Sequence, residues 1–242
     1  NPNLLNEREN FFHKPLVNLN HFYDINDDSF GKVSRITCTV SVNDGSFLNI
    51  ERESRLSEAI YEKGHHILTS LLRSLVATEQ PLNLSASVCF EQSYSKIDGD
   101  SSSAAELTAI ISAMADIPVM QHLAITGSLN QLGDIQPVGG INEKIEGFWK
   151  LFNKIGRQKQ YWVIIPHQNL PALMLNEETR TALAKKALII YPVRYFWQVF
   201  ELATGIPLGV KKPGGKKVQK DSAIERIRNK IKQVDQNLDQ TK

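Results

Sequence analysis

Cysteine is scarce. Only Cys38 and Cys89 occur in 242 residues, and neither sits in a CxxC pair. That excludes a disulfide-stapled scaffold and favours a reduced, cytoplasmic setting. Long apolar runs are also missing: "YWVIIP" and "ALIIYPV" fall far short of the roughly 20 residues a membrane span needs. The start, "NPNLLNERENFFHKP", is polar and charged, so no signal peptide is visible. It lacks an initiator Met as well, which points to a piece of something longer. Strong charge of one sign is absent, the formal net charge being +2, so nucleic acid is not an expected partner. The charge is unevenly placed. Residues 211–242 hold ten Lys/Arg against four Asp/Glu, which leaves the remainder at about −4.

Several catalytic motifs are missing too. GxSxG does not occur, so a nucleophile elbow of the α/β-hydrolase type is excluded. The six histidines (13, 21, 65, 66, 122 and 167) show no HExxH spacing and have no cysteine neighbours, which leaves a zinc site unsupported. There is no GxxxxGK[ST], hence no phosphate-binding loop and no ATP or Mg expected in this chain.

What is present, 41% hydrophobic and 22% charged residues, is ordinary for a globular protein with a sizeable core. Residues 1–28 lack clean periodicity and read as an arm or linker. "GKVSRITCTVSVNDGSFLNIERE" alternates about Asp44-Gly45, which predicts a β-hairpin. Helical spacing follows from Leu56 to about Val76, then a strand at 84–92 and an Ala-rich helix at about 102–115. "HLAITGSLN" reads as a strand, 141–155 as a helix, and "QYWVIIP" and "KALIIYPV" as buried strands separated by a helix at 176–185. A helix at about 194–204 closes an α+β domain over 29–210. Beyond it, 211–242 reads as a basic linker, "KKPGGKK", and an amphipathic helix carrying Ile224, Ile227, Ile231, Val234 and Leu238, able to dock on a neighbour.

Three consecutive serines, 101–103, follow the turn Asp98-Gly99-Asp100 and open the Ala-rich helix. A serine nucleophile without histidine can be activated by lysine, provided the amine is neutral. Its pKa must fall from about 10.4 towards 7–8, roughly 4 kcal/mol, which requires a mostly apolar pocket. Lys144 suits this role: it lies in the first turn of a helix behind Gly139-Gly140, flanked by Ile141, Ile145 and Phe148, where the helix dipole also disfavours an ammonium. Taken alone, a lysine there is ordinarily a solvated surface residue. Glu143 and Glu146 point away from it on a helix.

"DGDSSSAAELTAIISA" followed by "LAITGSLNQLGDIQPVGGINEK" resembles the Lon protease family, in its branch with a "GDSAS"-type serine motif, the Lon-related ATP-dependent proteases. The resemblance covers roughly residues 30–210. It implies the Lon proteolytic-domain fold, like the second domain of a small-subunit ribosomal protein, with mixed sheets packed against helices. It also implies a Ser–Lys dyad in which the two residues stand 43 apart, as Ser101 and Lys144 do here. By the same resemblance Thr126 orients the amine, Asp98 pairs with the lysine or serves the turn, Ser102 is dispensable and Ser103 helps to start the helix. The amides of 99–102 would face an oxyanion. The best-known relatives carry histidines in the strand before the serine, where this chain reads "SASVCFEQSY". Glu58 or Glu62 could add an acidic group, though exposed helix positions are the plainer reading. The implied activity is that of a serine endopeptidase acting on unfolded or damaged proteins or peptides. The implied assembly is a hexameric ring fed by an ATPase module outside this chain. The alternative is a catalytically silent Lon-like domain serving as an oligomerisation or interaction scaffold.

Overall fold

The computed structural model describes residues 12–13, 16–25, 28–76, 82–156, 158–211, 213–215 and 217–240. At its centre is a seven-stranded mixed sheet. In chain order its strands are β2 (Leu16–Ile25), β3 (Asp28–Val42), β4 (Phe47–Asn49), β5 (Leu84–Glu91), β7 (Leu123–Ile125), β10 (Tyr161–Pro166) and β11 (Leu188–Val193). They lie side by side in the order β11-β10-β7-β2-β3-β5-β4. The two short ladders outside this sheet pair β1 (Phe12–His13) with β6 (Val119–Met120), and β8 (Ser128–Leu129) with β9 (Ile135–Gln136). Strands β7, β10 and β11 run parallel, while β3 is antiparallel to both β2 and β5.

Helices cover both faces of the sheet. On one lie α2 (Ala59–Val76), α3 (Ser103–Ala115), α6 (Phe196–Thr204) and α7 (Ala223–Gln240), whose buried residues form the larger core with Ile36, Ile125 and Ile164. On the other lie α4 (Ile141–Ile155) and α5 (Glu177–Ala184), which pack Ile145, Phe148 and Ala182 against Ala124, Val163 and Ile165. The alternation Val163/Ile164/Ile165 between two cores is the period-2 signature of a strand buried on both sides. Each β-helix-β passage, β7 to β10 through α4 and β10 to β11 through α5, joins adjacent parallel strands, as such strands require. The α+β expectation agrees with this mixture of sheets and packed helices.

Three local expectations need correction. The Asp44-Gly45 turn does not close a hairpin: β5 runs between β3 and β4, antiparallel to one and parallel to the other. Gly45 turns with φ +77°, and a Cβ there would sit 2.1 Å from the Leu82 carbonyl oxygen, because the chain entering β5 passes through the opening. The bonds Asn43 N–H to Asn83 O and Ala86 N–H to Ser46 O seal that insertion. Residues 16–25 do not form an arm; they fill the middle of the sheet, ten residues in register with β3 and touching β7. Lastly, the tail helix docks on its own domain. Ile224, Ile227 and Ile231 are fully buried. Its basic residues meet the carbonyl ends of two helices, Arg228 donating to Leu75 O of α2 and Lys230 to Met114 O of α3. Cations at helix C-termini are stabilising, which accounts for part of the tail's positive charge. Leu238 lies outside the residues whose side chains are described. The short helix α1 (Ile50–Glu53), capped by Asn49, precedes α2.

Candidate active site

The two faces meet at the carboxyl end of β7. In open sheets with parallel strands, ligands bind outside such carboxyl ends, where connections diverge. Here Thr126 and Gly127 leave the strand, and Gly127 ties down the serine turn: its N–H donates to Ser101 O, and its carbonyl accepts from Ala104 N–H. Gly99, with φ +88° and open space where a Cβ would be, lets the chain turn into α3. The Ser103 N–H and hydroxyl both donate to Asp100 O, starting the helix. Ser101 is left partly exposed at this corner.

Lys144 arrives from the opposite face. Gly140, at φ +63°, precedes α4 and allows the abrupt entry after Gly139. The helix then lies directly on strand β3. A Cβ on Gly31 would stand 2.6 Å from Lys144 Cα, and one on Gly147 would stand 2.1 Å from Gly31 O. This glycine-to-glycine seat fixes the Lys144 backbone. Its amine extends to 3.1 Å from Ser101 Oγ and 3.4 Å from Thr126 Oγ1. Lys144 is only 3% exposed and Thr126 1%. Burial drives the lysine pKa down from 10.5 to about 8, opposed by the negative charges of Asp100 and Glu143. The amine is therefore neutral in a useful fraction of molecules near neutral pH.

The other sequence candidates fall in different places. Asp98 is exposed in the turn, and among the described residues no bond joins it to Lys144. The acid of the turn whose charge reaches the lysine is Asp100, two residues later, which accepts from Ser128 Oγ at 2.6 Å. Glu143, read as pointing away, is close enough to act on Lys144 through its charge. Glu58 faces Lys96 at 3.5 Å, and Glu62 accepts from Ser57 Oγ, so neither enters the site. Ser102 is buried and turned from the lysine, its hydroxyl donating to Glu106 Oε1 at 2.6 Å. Although Ser102 is the N-cap residue of α3, that hydroxyl caps no helix N–H.

Sequence reasoning overlooked Asp100, Glu106 and the Gly31–Gly147 seat. Two signals were available: Glu106 is the one charged residue of α3, and Gly147 interrupts a helix three residues after Lys144, where close backbone approach is the usual reason. The bonds that build the serine turn use the N–H groups of Ser103 and Ala104. Among the described residues they leave those of Asp100, Ser101 and Ser102 unused. Amides at a helix start beside a hydroxyl are suited to hold a developing negative oxygen.

A hydroxyl and a desolvated amine within hydrogen-bond reach, next to a helix start, define a candidate serine nucleophile site with a lysine base. Residues 91–204 match the family model of the Lon protease (S16) C-terminal proteolytic domain. A Lon protease homolog of Escherichia coli (strain K12) is 45% identical over 180 residues, covering 74% of this chain and 30% of the relative. One of Haemophilus influenzae is 41% identical over 176 residues, covering 73% and 29%. An archaeal Lon protease of Methanocaldococcus jannaschii is 52% identical over 81 residues, 34% of this chain and 11% of the relative. The chain belongs to the Lon protease family through its proteolytic domain. It spans less than a third of the length of these curated relatives.

Proposed function

We propose that this chain is a serine endopeptidase in which Lys144 activates Ser101. The observation that carries the reading is the buried amine, 3.1 Å from the Ser101 hydroxyl, with its pKa drawn down to about 8. Neutral Lys144 takes the Ser101 proton as Oγ attacks a peptide carbonyl carbon. The carbonyl oxygen becomes an oxyanion beside the N–H groups of the 100–102 turn. The Lys144 ammonium then gives its proton to the departing amine, leaving an ester on Ser101. A water deprotonated by the same lysine attacks that ester, and return of the proton to Ser101 closes the cycle. Thr126 holds the amine towards the serine throughout, doing with a hydroxyl what a carboxylate does for a histidine base.

The substrates we propose are unfolded or damaged proteins and their peptides, because a loose backbone can lie against a surface turn as a folded one cannot. By family likeness the domain works in a cytoplasmic hexameric ring, as the proteolytic part of an ATP-dependent protease. ATP and Mg then bind a module outside this chain.

Hydrolysis of casein by the chain, beside Ser101→Ala and Lys144→Ala, tests the dyad. Cleavage lost in both variants supports it. Cleavage surviving in Ser101→Ala overturns it, and an inert parent chain that still forms rings points to the silent scaffold.

A further inference from the structure

Outside the carboxyl ends of β10 and β11 lies a cavity of about 260 Å³ that the dyad does not use. Its walls include Ile135 of β9, His167 directly after β10, and Arg194 and Tyr195 directly after β11. The cavity adjoins the serine turn. A Cβ on Gly127 would stand 3.0 Å from Ile135 Cγ2 and 3.7 Å from Pro166 Cγ, and Gly127 is the residue whose N–H holds Ser101 O. An extended peptide advances about 3.3 Å per residue, so a substrate side chain a few residues from the cleaved bond reaches this cavity. Carboxyl ends of parallel strands are also where open sheets gather ligands.

The charges that line the cavity are unequally engaged. Asp134 is committed to its own turn: its Oδ2 accepts from Asn130 Nδ2 at 2.8 Å, while Asn130 Oδ1 accepts from the N–H groups of Leu132 and Asp134. Arg194 is exposed, and among the described residues no carboxylate pairs with its guanidinium. Its Nη2 donates to His167 Nε2 at 3.0 Å. To accept there the imidazole must be neutral, so it restrains the guanidinium without balancing its charge. Most of the five guanidinium N–H groups are left for a guest.

The backbone that presents Arg194 is fixed. Ile135 N–H donates to Arg194 O at 2.8 Å, and Asp134 and Tyr195 form an antiparallel bridge. Gln198 Oε1 accepts from the N–H groups of Arg194 and Tyr195, at 2.9 and 3.1 Å. A planar cation on a tied backbone, restrained by a neighbouring ring, is prepared for a carboxylate, whose two oxygens match its fork.

Resting on the assignment of Ser101 as nucleophile, we propose that Arg194 is a specificity-determining residue, which receives the carboxylate of a substrate Asp or Glu in this cavity. The class of substrate selected is an acidic stretch of unfolded chain. Gln at the same position has nearly the same shape and no charge, which makes it the sharpest comparison. Because the guanidinium is exposed, the pair is screened, and the expected discrimination is about tenfold instead of the roughly 10⁴-fold of a buried polar site.

Measurement of kcat/KM on fluorogenic peptides with the full 242-residue chain tests this. The peptides carry Glu, Gln or Lys at one position and are otherwise identical, each position flanking the cleaved bond being taken in turn. At one position the parent is expected to favour Glu over Gln about tenfold, with Lys slowest. In Arg194→Gln the Glu-to-Gln ratio is expected to fall to within about twofold of unity, and in Arg194→Glu the Lys peptide is expected to overtake the Glu peptide. Each ratio is taken within one variant, so a lowered fraction of folded enzyme cancels. Should both variants fail to fold, salt decides: the parent's ratio is expected to drop at least about twofold between about 0.05 M and about 0.5 M NaCl. The proposal is overturned if the parent treats Glu and Gln alike at every position, if its preference survives in Arg194→Gln, or if salt leaves the ratio unmoved. An inert parent, or cleavage surviving in Ser101→Ala, instead removes the dyad reading, and the subsite with it.

Discussion

The neutral form of Lys144 sets the rate in the proposed mechanism, so the pH dependence of kcat/KM has a sign and a size. With a pKa of about 8, the amine is neutral in about 1% of molecules at pH 6, about 9% at pH 7, half at pH 8 and about 90% at pH 9. Cleavage of a peptide substrate under first-order conditions should therefore climb about ninefold from pH 6 to 7 and about fivefold more from pH 7 to 8. The total rise is about 90-fold from pH 6 to 9, followed by a plateau. Asp100 and Glu143 hold the lysine pKa higher than burial alone would. Asp100→Asn should move the midpoint to lower pH, by up to about one unit, because a negative charge that favours the ammonium is gone. A control with Asp98→Asn, exposed and unbonded to the amine, should leave the midpoint where it was. A flat profile between pH 6 and 9, or a rise centred near the ordinary lysine value of 10.5, would refute the assignment of Lys144 as a desolvated base. A shift with Asp98→Asn and none with Asp100→Asn would refute the electrostatics described for the turn.

The same burial makes Lys144 a load on the fold. The folded chain binds its proton less tightly than the unfolded chain, so the cost is full below pH 8 and fades as pH rises towards 10.5. Lys144→Met should therefore abolish cleavage yet raise unfolding stability at pH 7 by about 3 kcal/mol, a gain that shrinks at pH 10 in denaturant titrations. Gly147→Ala places a methyl 2.1 Å from Gly31 O and must lift α4 from β3. We expect a stability loss of about 1–3 kcal/mol and a kcat lowered at least tenfold as Lys144 moves, measured by denaturation and peptide cleavage together. Ile227→Asp should destabilise the domain by about 3 kcal/mol or more, since the position is fully buried in the core beneath α7, whereas a free tail would tolerate it.

The sequence by itself carried the ingredients that local rules govern. Apolar runs of strand length, helical spacing and glycine punctuation located most elements within two or three residues, and α4 at its observed bounds, Ile141–Ile155. Local rules gave three serines behind an Asp-Gly-Asp turn and a lysine behind paired glycines; the resemblance to the Lon family, with its 43-residue spacing, singled out Ser101 and Lys144, which stand 3.1 Å from each other. Tertiary structure alone decided what depends on partners distant along the chain. An Asp-Gly turn reads the same whether its arms pair or admit β5 between them, because the choice rests on Leu82 and Asn83, almost forty residues on. A strand at 16–25 without clean alternation is held by β3 and β7 on either side, which no local window contains. Two carboxylates in one turn cannot be ranked from sequence; the fold sends Asp100 towards Ser128 and the amine and leaves Asp98 in solvent. The Glu106 carboxylate gathers Ser102, Tyr61 and Asn49 because α1, α2 and α3 converge on it, and the pKa of Lys144 fell because two helical layers close over the end of β7. Burial and field are sums over neighbours in space, and those neighbours exist only once the chain has folded.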